Sequence, residues 1–186
     1  MDRSIEMLDP DAALAAAKDA GVPAPLAELN VFRALLRRPR LAKGLSQTLL
    51  ALLGGDALDA RRRELVIMRI AWVTGSGYEW AQHWRIARDL GVPEEDLVAV
   101  RDWISASFDE IDRAVLGVTD VALAGGVPDA RDLDAVRSAL GDDALIDLLA
   151  AVGTWSAVSL LLRALEVPLD PDLQPWPPDG RPSPAA

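Results

Sequence analysis

Apolar residues recur at helical spacing along most of the chain, and glycine and proline cut that pattern into segments. An alanine-rich stretch predicts a first helix over residues 11–20, closed by Gly21-Val22-Pro23. A second is expected over residues 25–37, where Pro39 interrupts, and a third over residues 41–53, ended by Gly54-Gly55. Asp56 or Asp59 is placed to cap a fourth, which reaches about residue 73 before Gly75-Ser76-Gly77 breaks the chain. A fifth runs on to Leu90 and stops at Gly91 and Pro93. Pro93-Glu94-Glu95 is a favourable first turn, with proline early and acids at the positive end of the helix dipole. Leu97, Val100, Trp103 and Ile104 then supply an apolar face. Further helices are expected over residues 109–124, 130–140 and 142–165. The last is apolar nearly all round, which marks a helix buried in a core or in a subunit interface.

From Pro168 onward the pattern ends. Pro168, Pro171, Pro175, Pro177, Pro178, Pro182 and Pro184 exclude a helix and predict an extended arm over residues 168–186, following one helical domain over residues 1–167. Trp176 within the arm points to docking, since a free indole gains nothing in water.

Composition agrees with an all-α chain. Of 186 residues, 51% are hydrophobic, mostly alanine and leucine, and only 5% are aromatic, so strand-forming side chains are sparse. The formal net charge of −10 argues against nucleic acid or an anionic membrane surface as partner. Arg61-Arg62-Arg63 is a local basic run, read as solvated or as intersubunit ion pairs. There is no cysteine, so neither a thiol nucleophile nor a thiolate metal site is available. The first residues lack the basic start and apolar run of a signal peptide, and runs such as residues 158–162 are too short to span a bilayer, so a cytoplasmic location is the expectation.

Candidate chemistry concentrates between Arg61 and Gly91. Ser76, Glu79 and the chain's single histidine, His83, stand at i, i+3 and i+7, on one face if one helix holds them. A carboxylate four residues from an imidazole raises its pKa and can fix its tautomer, as an acid/base group requires. Glu64, on the preceding helix, would approach the same place if the two helices pack antiparallel across the glycine turn. Ser76 and Glu79 also form a capping box, and His83 between Trp80 and Trp84 could be a core histidine. Tyr78 and Gln82 make another i,i+4 pair that could line a cavity or face water. Two carboxylates and one imidazole could also hold a divalent ion with open positions, though the reading adopted needs neither metal nor cofactor.

Arg63-Glu64-Leu65-Val66-Ile67, Tyr78-Glu79-Trp80-Ala81-Gln82-His83, Ala87 and Gly91-Val92-Pro93-Glu94-Glu95 resemble, in order and spacing, the carboxymuconolactone decarboxylase superfamily, with its alkyl hydroperoxidase D-like fold. Asn30-Val31-Phe32-Arg33-Ala34-Leu35-Leu36 and Pro39 resemble the family's opening helix. The resemblance implies an all-α bundle of about seven or eight helices forming trimers or hexamers. In the family's peroxidatic branch a Glu is followed by Cys after eleven residues, a second Cys after two more, and a His after three more. The same spacing here gives Glu64, Ser76, Glu79 and His83, so glutamate and histidine are kept and both cysteines are replaced. Thiol peroxidase chemistry is thereby disfavoured. The resemblance to the decarboxylase branch implies a cofactor-independent acid/base enzyme, a decarboxylase or related lyase or isomerase, acting on a small enolisable organic acid or lactone. On that reading His83 transfers the proton and Glu79 orients it. Glu64 is a second carboxylate and Ser76 a hydroxyl donor. Arg69 is placed to bind a substrate carboxylate, or to pair with a local acid. Tyr78, Trp80 and Trp72 would line the substrate site. The alternative is a binding or scaffold member without catalysis.

Overall fold

The computed structural model describes residues 4–186, and among them the fold is all-α. Ten α-helices follow in order: α1 Pro10–Ala20, α2 Ala24–Ala27, α3 Asn30–Leu35, α4 Pro39–Gly54, α5 Ala60–Thr74, α6 Gly77–Asp89, α7 Glu94–Ala99, α8 Glu110–Leu123, α9 Ala130–Leu140 and α10 Asp142–Ala164. The apolar pattern predicts nine of these and the resemblance seven or eight; the tenth arises because the second expected helix is two short ones broken at Glu28 and Leu29. Pro39 starts α4 instead of ending its predecessor, as proline can, because a first-turn residue has no N–H partner to lose. Beyond α7 a 3₁₀ turn, Val100–Asp102, takes over, so Trp103 and Ile104 lie past the helix. Aspartates cap four helices: Asp9, Asp59, Asp109 and Asp129 each accept an N–H from three residues on.

α5 is the axis of the bundle. Leu65, Val66, Ile67, Met68, Ile70 and Ala71 are at most 1% exposed, because α6, α8 and α10 pack around it. Burying each of the larger of these side chains contributes about 1.5–3 kcal/mol. The run Arg61-Arg62-Arg63 is engaged within the chain: Arg61 reaches Asp96 and Asp112, Arg62 reaches Asp59 and Asp112, and Arg63 reaches Glu64.

α10 is, among the described residues, long and apolar enough by length and composition to cross a membrane, which the shorter run at residues 158–162 did not reveal. Its apolar character has another cause on one side: Leu145, Leu148, Val152, Trp155, Val158 and Leu162 pack into the bundle. The opposite side presents Ile146, Ala150, Gly153, Ala157, Leu160 and Ala164 to the exterior at alternating four- and three-residue intervals, with Leu149 beside them.

The arm from Pro168 is non-helical and docked. Trp176 lies 6.0 Å from Trp72 and 6.1 Å from Trp80, ring centre to ring centre. Trp80 Nε1 donates to the Pro177 carbonyl (2.7 Å), and Ser183 Oγ donates to the Trp72 carbonyl (2.6 Å). The Arg101 guanidinium stacks on Trp72 and Trp80, 4.9 and 4.8 Å from their centroids, and pairs with Asp179 at 2.8 Å. The arm also explains the glycine turn. Gly75 has φ +72°, and a Cβ there would stand 2.4 Å from the Ala185 carbonyl. At Gly77 a Cβ would meet the Trp176 indole at 3.2 Å.

Candidate active site

The glycine turn sends α6 back along α5, and this antiparallel pairing brings Glu64 to His83. His83 Nδ1 lies 2.7 Å from Glu64 Oε2, and Arg63 Nε donates to Glu64 Oε1 at 3.3 Å. Glu64 is wholly buried and His83 is 6% exposed. On the far side of the ring, Trp155 Nε1 donates to His83 Nε2 at 3.0 Å. An indole N–H is donor only, so in this arrangement Nε2 carries the lone pair, and Nδ1–H donates to Glu64. Glu79 Oε2 stands 3.5 Å from the same Nε2.

These contacts set the proton affinities. Burial opposes charge on His83, but the Glu64 carboxylate outweighs it, and the imidazole protonates more readily than a free one. Burial raises Glu79, Glu64 adds to the rise and His83 offsets part of it, leaving the Glu79 carboxyl at about 7. A carboxyl at about 7 beside an imidazole whose protonation is favoured, 3.5 Å apart, forms a unit suited to acid/base chemistry.

Glu79 and His83 form the polar floor of a cavity of about 130 Å³. Its walls are Leu26, Leu29 and Val31 from the α2–α3 region, Leu45, Leu49, Leu50 and Leu53 of α4, Tyr78, Gln82 and Ile86 of α6, and Trp155 and Val158 of α10.

The structure redistributes the residues expected from sequence. Glu64, not Glu79, holds the orienting position against Nδ1, because the turn fixes the helix pair more closely than an i,i+4 spacing can. Ser76 caps α6, accepting from the Glu79 N–H at 3.5 Å, and is not among the cavity residues. Tyr78 lines the cavity. Trp72 and Trp80 do not: they belong to a separate apolar cluster and face the arm. Arg69 is engaged elsewhere, donating to both Asp120 oxygens at 2.7 and 2.8 Å and to the Val100 and Arg101 carbonyls. No group of three potential metal ligands among the described residues has metal-holding geometry, Glu64, Glu79 and His83 included. Sequence reasoning missed Trp155 as the Nε2 donor and the leucines of α4 as a wall; neither has a local signature, since both depend on how distant helices pack.

Residues 39–121, which hold Glu64, Ser76, Glu79 and His83, match the model of the Carboxymuconolactone decarboxylase family. Over those residues the chain is similar to this family, and it lacks the paired cysteines of the peroxidatic branch. No curated protein sequence matches the chain significantly. Among solved structures, an uncharacterized peroxidase-related protein from Ralstonia eutropha JMP134, with an alkylhydroperoxidase AhpD core, aligns with TM-score 0.70 and 20% identity over 89% of this chain and 88% of that one. A protein of unknown function from Agrobacterium tumefaciens, described as a candidate antioxidant defence protein AhpD, aligns with TM-score 0.66 and 17% identity over 72% of this chain and 92% of that one. The debrominase Bmp8, captured as a cysteine-to-alanine variant with 2,3,4-tribromopyrrole, gives TM-score 0.64 and 14% identity over 87% and 85%. These likenesses establish the shared fold. The family match supports an enzyme-like role at the level of the family.

Proposed function

We propose that this chain is a cofactor-independent acid/base enzyme, a decarboxylase or related lyase or isomerase for a small, largely apolar enolisable acid or lactone. The observation that carries the reading is the placement of Glu79, with its carboxyl at about 7, beside the Glu64-held His83 in a cavity walled mostly by apolar side chains. By spacing, Glu79 stands where the peroxidatic branch has its second cysteine, so a proton-carrying group replaces a redox-active one.

For a decarboxylation, the bond from the carboxylate to the adjacent carbon breaks and carbon dioxide leaves. The electron pair passes into an enolate, and the Glu79 carboxylic acid returns a proton to carbon. His83 then takes up a proton from water at Nε2, as an imidazolium stabilised by Glu64, and passes it to the Glu79 carboxylate, so the net proton consumed comes from solvent. Isomerisation uses the same groups, removing a proton from one carbon and returning it to another. In its resting arrangement Nε2 accepts from Trp155, so proton exchange with Glu79 requires the ring to give up that bond.

The test is a panel of carboxymuconolactone and simple unsaturated lactones in deuterated water, followed by NMR for carbon dioxide release and deuterium incorporation. The wild type should act on at least one compound, and Glu79→Gln and His83→Gln should each slow it by about 10²–10⁴-fold. Equal rates in wild type and Glu79→Gln would remove the basis for the reading.

The outer stripe of α10 supports self-association as part of the same reading. Leu160 is 67% exposed and Ile146 63%, in an uncharged row whose three- and four-residue intervals suit packing against another helix. Light scattering should give a multiple of the 19.9 kDa chain mass, and Leu160→Glu should reduce it. A wild-type mass equal to one chain would contradict this.

A further inference from the structure

The cavity presents no cation, yet beside it the protein binds a carboxylate of its own. Asp170, in the arm, receives three hydrogen bonds. The backbone N–H of Asn30 donates to Oδ1 at 2.7 Å. The Tyr78 hydroxyl donates to Oδ2 at 2.6 Å, and the Gln82 side-chain amide donates to the same oxygen. All three donor residues are buried, at 5–6% exposure. Each side-chain orientation is supported by a further contact. Arg85 donates to Gln82 Oε1 at 2.8 Å, which turns the amide nitrogen toward Asp170. Arg33 donates to Asn30 Oδ1 at 3.0 Å, while the Asn30 amide nitrogen holds the Pro168 and Leu169 carbonyls. One guanidinium, that of Arg85, thus stands one hydrogen bond behind the Gln82 donor and favours an anion there.

Tyr78 and Gln82 are also cavity residues, on the same helix, α6, as Glu79 and His83. The donors that hold Asp170 therefore border the space in which His83 lies. A carboxylate bound in place of Asp170 would share the Tyr78 and Gln82 side chains with that cavity.

We propose that Asn30, Tyr78 and Gln82 form a binding socket for the carboxylate of a small apolar acid, and that Asp170 occupies it in cis, so that the arm competes with the ligand. This deepens the acid/base reading by naming the group through which an organic acid is held, and it rests on that reading only for the chemistry after binding. Neutral donors, one of them backed by Arg85, suit a monocarboxylate with an apolar tail better than a polyanion, because no cation contacts the anion directly.

Hexanoate is the probe, titrated calorimetrically at about pH 7 into the full chain, into Asp170→Ala and into Asp170→Ala combined with Tyr78→Phe. Losing one competing carboxylate that accepts charge-assisted bonds should tighten hexanoate binding by about ten-fold or more, and the added Tyr78→Phe should reverse most of that gain. Hexanamide should show no comparable gain. If Asp170→Ala binds hexanoate no better than wild type, or if the gain survives Tyr78→Phe, the socket assignment is wrong. Should Asp170→Ala fold poorly, indole NMR of the wild type decides instead: hexanoate must shift the Trp176 signal as the arm yields, and binding that leaves it unmoved overturns the competition. Glu79→Gln should retain hexanoate binding, so a failure of catalysis and a failure of the socket are told apart.

Discussion

Replacing Glu79 by glutamine is expected to stabilise the folded protein above about pH 7 while removing its proton-transfer group. The carboxyl sits at about 7 in the fold against an ordinary 4.5, chiefly because burial disfavours its charge. The folded value lies above the unfolded one, so the carboxyl's contribution is intact below about pH 4.5. It is lost as pH rises through about 7, because the unfolded chain releases its proton first. The shift corresponds to about 3 kcal/mol at full ionisation. Glutamine cannot ionise, so the variant escapes that loss. Denaturant unfolding should show the two proteins converging below about pH 4.5 and separating by roughly 2–4 kcal/mol near pH 8. His83 acts in the same sense: its raised folded value stabilises below its free value and ceases to do so as pH rises through the folded one. The Glu79 and His83 contributions to wild-type stability should therefore fall as pH rises from about 4.5 through about 7, against the rise that salt-bridged carboxylates usually produce. A Glu79→Gln variant that is less stable than wild type at pH 8 would show that this carboxyl is a structural asset instead of a strained functional group.

Glu64→Ala is expected to have the largest destabilising effect of any substitution at the site. Glu64 is fully enclosed and receives both the Arg63 guanidinium and the His83 imidazole. Removing it strands a buried cation and a buried ring N–H, which costs about 3–5 kcal/mol. At roughly 2–4 °C per kcal/mol for a chain of this length, the melting temperature should drop by about 10 °C or more. Glu64→Gln retains an acceptor for Nδ1–H and should lose less. In that variant the imidazole no longer faces a carboxylate at Nδ1, so its titration should move down from the wild-type value. As the chain has one histidine, the NMR titration has one ring to follow. A melting temperature for Glu64→Ala within a few degrees of wild type would mean that Arg63 and His83 find other partners.

The elements were largely legible in the sequence, because helix boundaries depend on local chemistry. Asp59, Gly75 and Ser76 mark the ends of α5 and α6 through hydrogen bonds within three residues and a backbone angle suited to glycine. His83, Glu79 and Glu64 were legible as candidates because helical spacing and the superfamily's ordered motif both pass through them. Their roles were not. Spacing placed Glu79 beside His83 but could not say which ring nitrogen it faces, and the packing of α5 on α6 gave Nδ1 to Glu64. Arg69, Trp72 and Trp80 looked like substrate contacts from their nearness in the chain, yet each turns away: Arg69 to Asp120, and the indoles to the arm. Conversely, Trp155 is 72 residues from His83 and Asp170 is 92 from Tyr78, separations at which no local pattern operates.

The sequence by itself determined an all-helical, cysteine-free chain with one histidine among carboxylates at the superfamily's spacing, since composition, caps and periodicity act over a few residues. The tertiary structure alone decided which nitrogen each carboxylate meets, which leucines wall the cavity, and that the proline-rich arm sets its own carboxylate beside it. Those are contacts between remote segments, fixed only when burial of α5 and α10 brings the helices together.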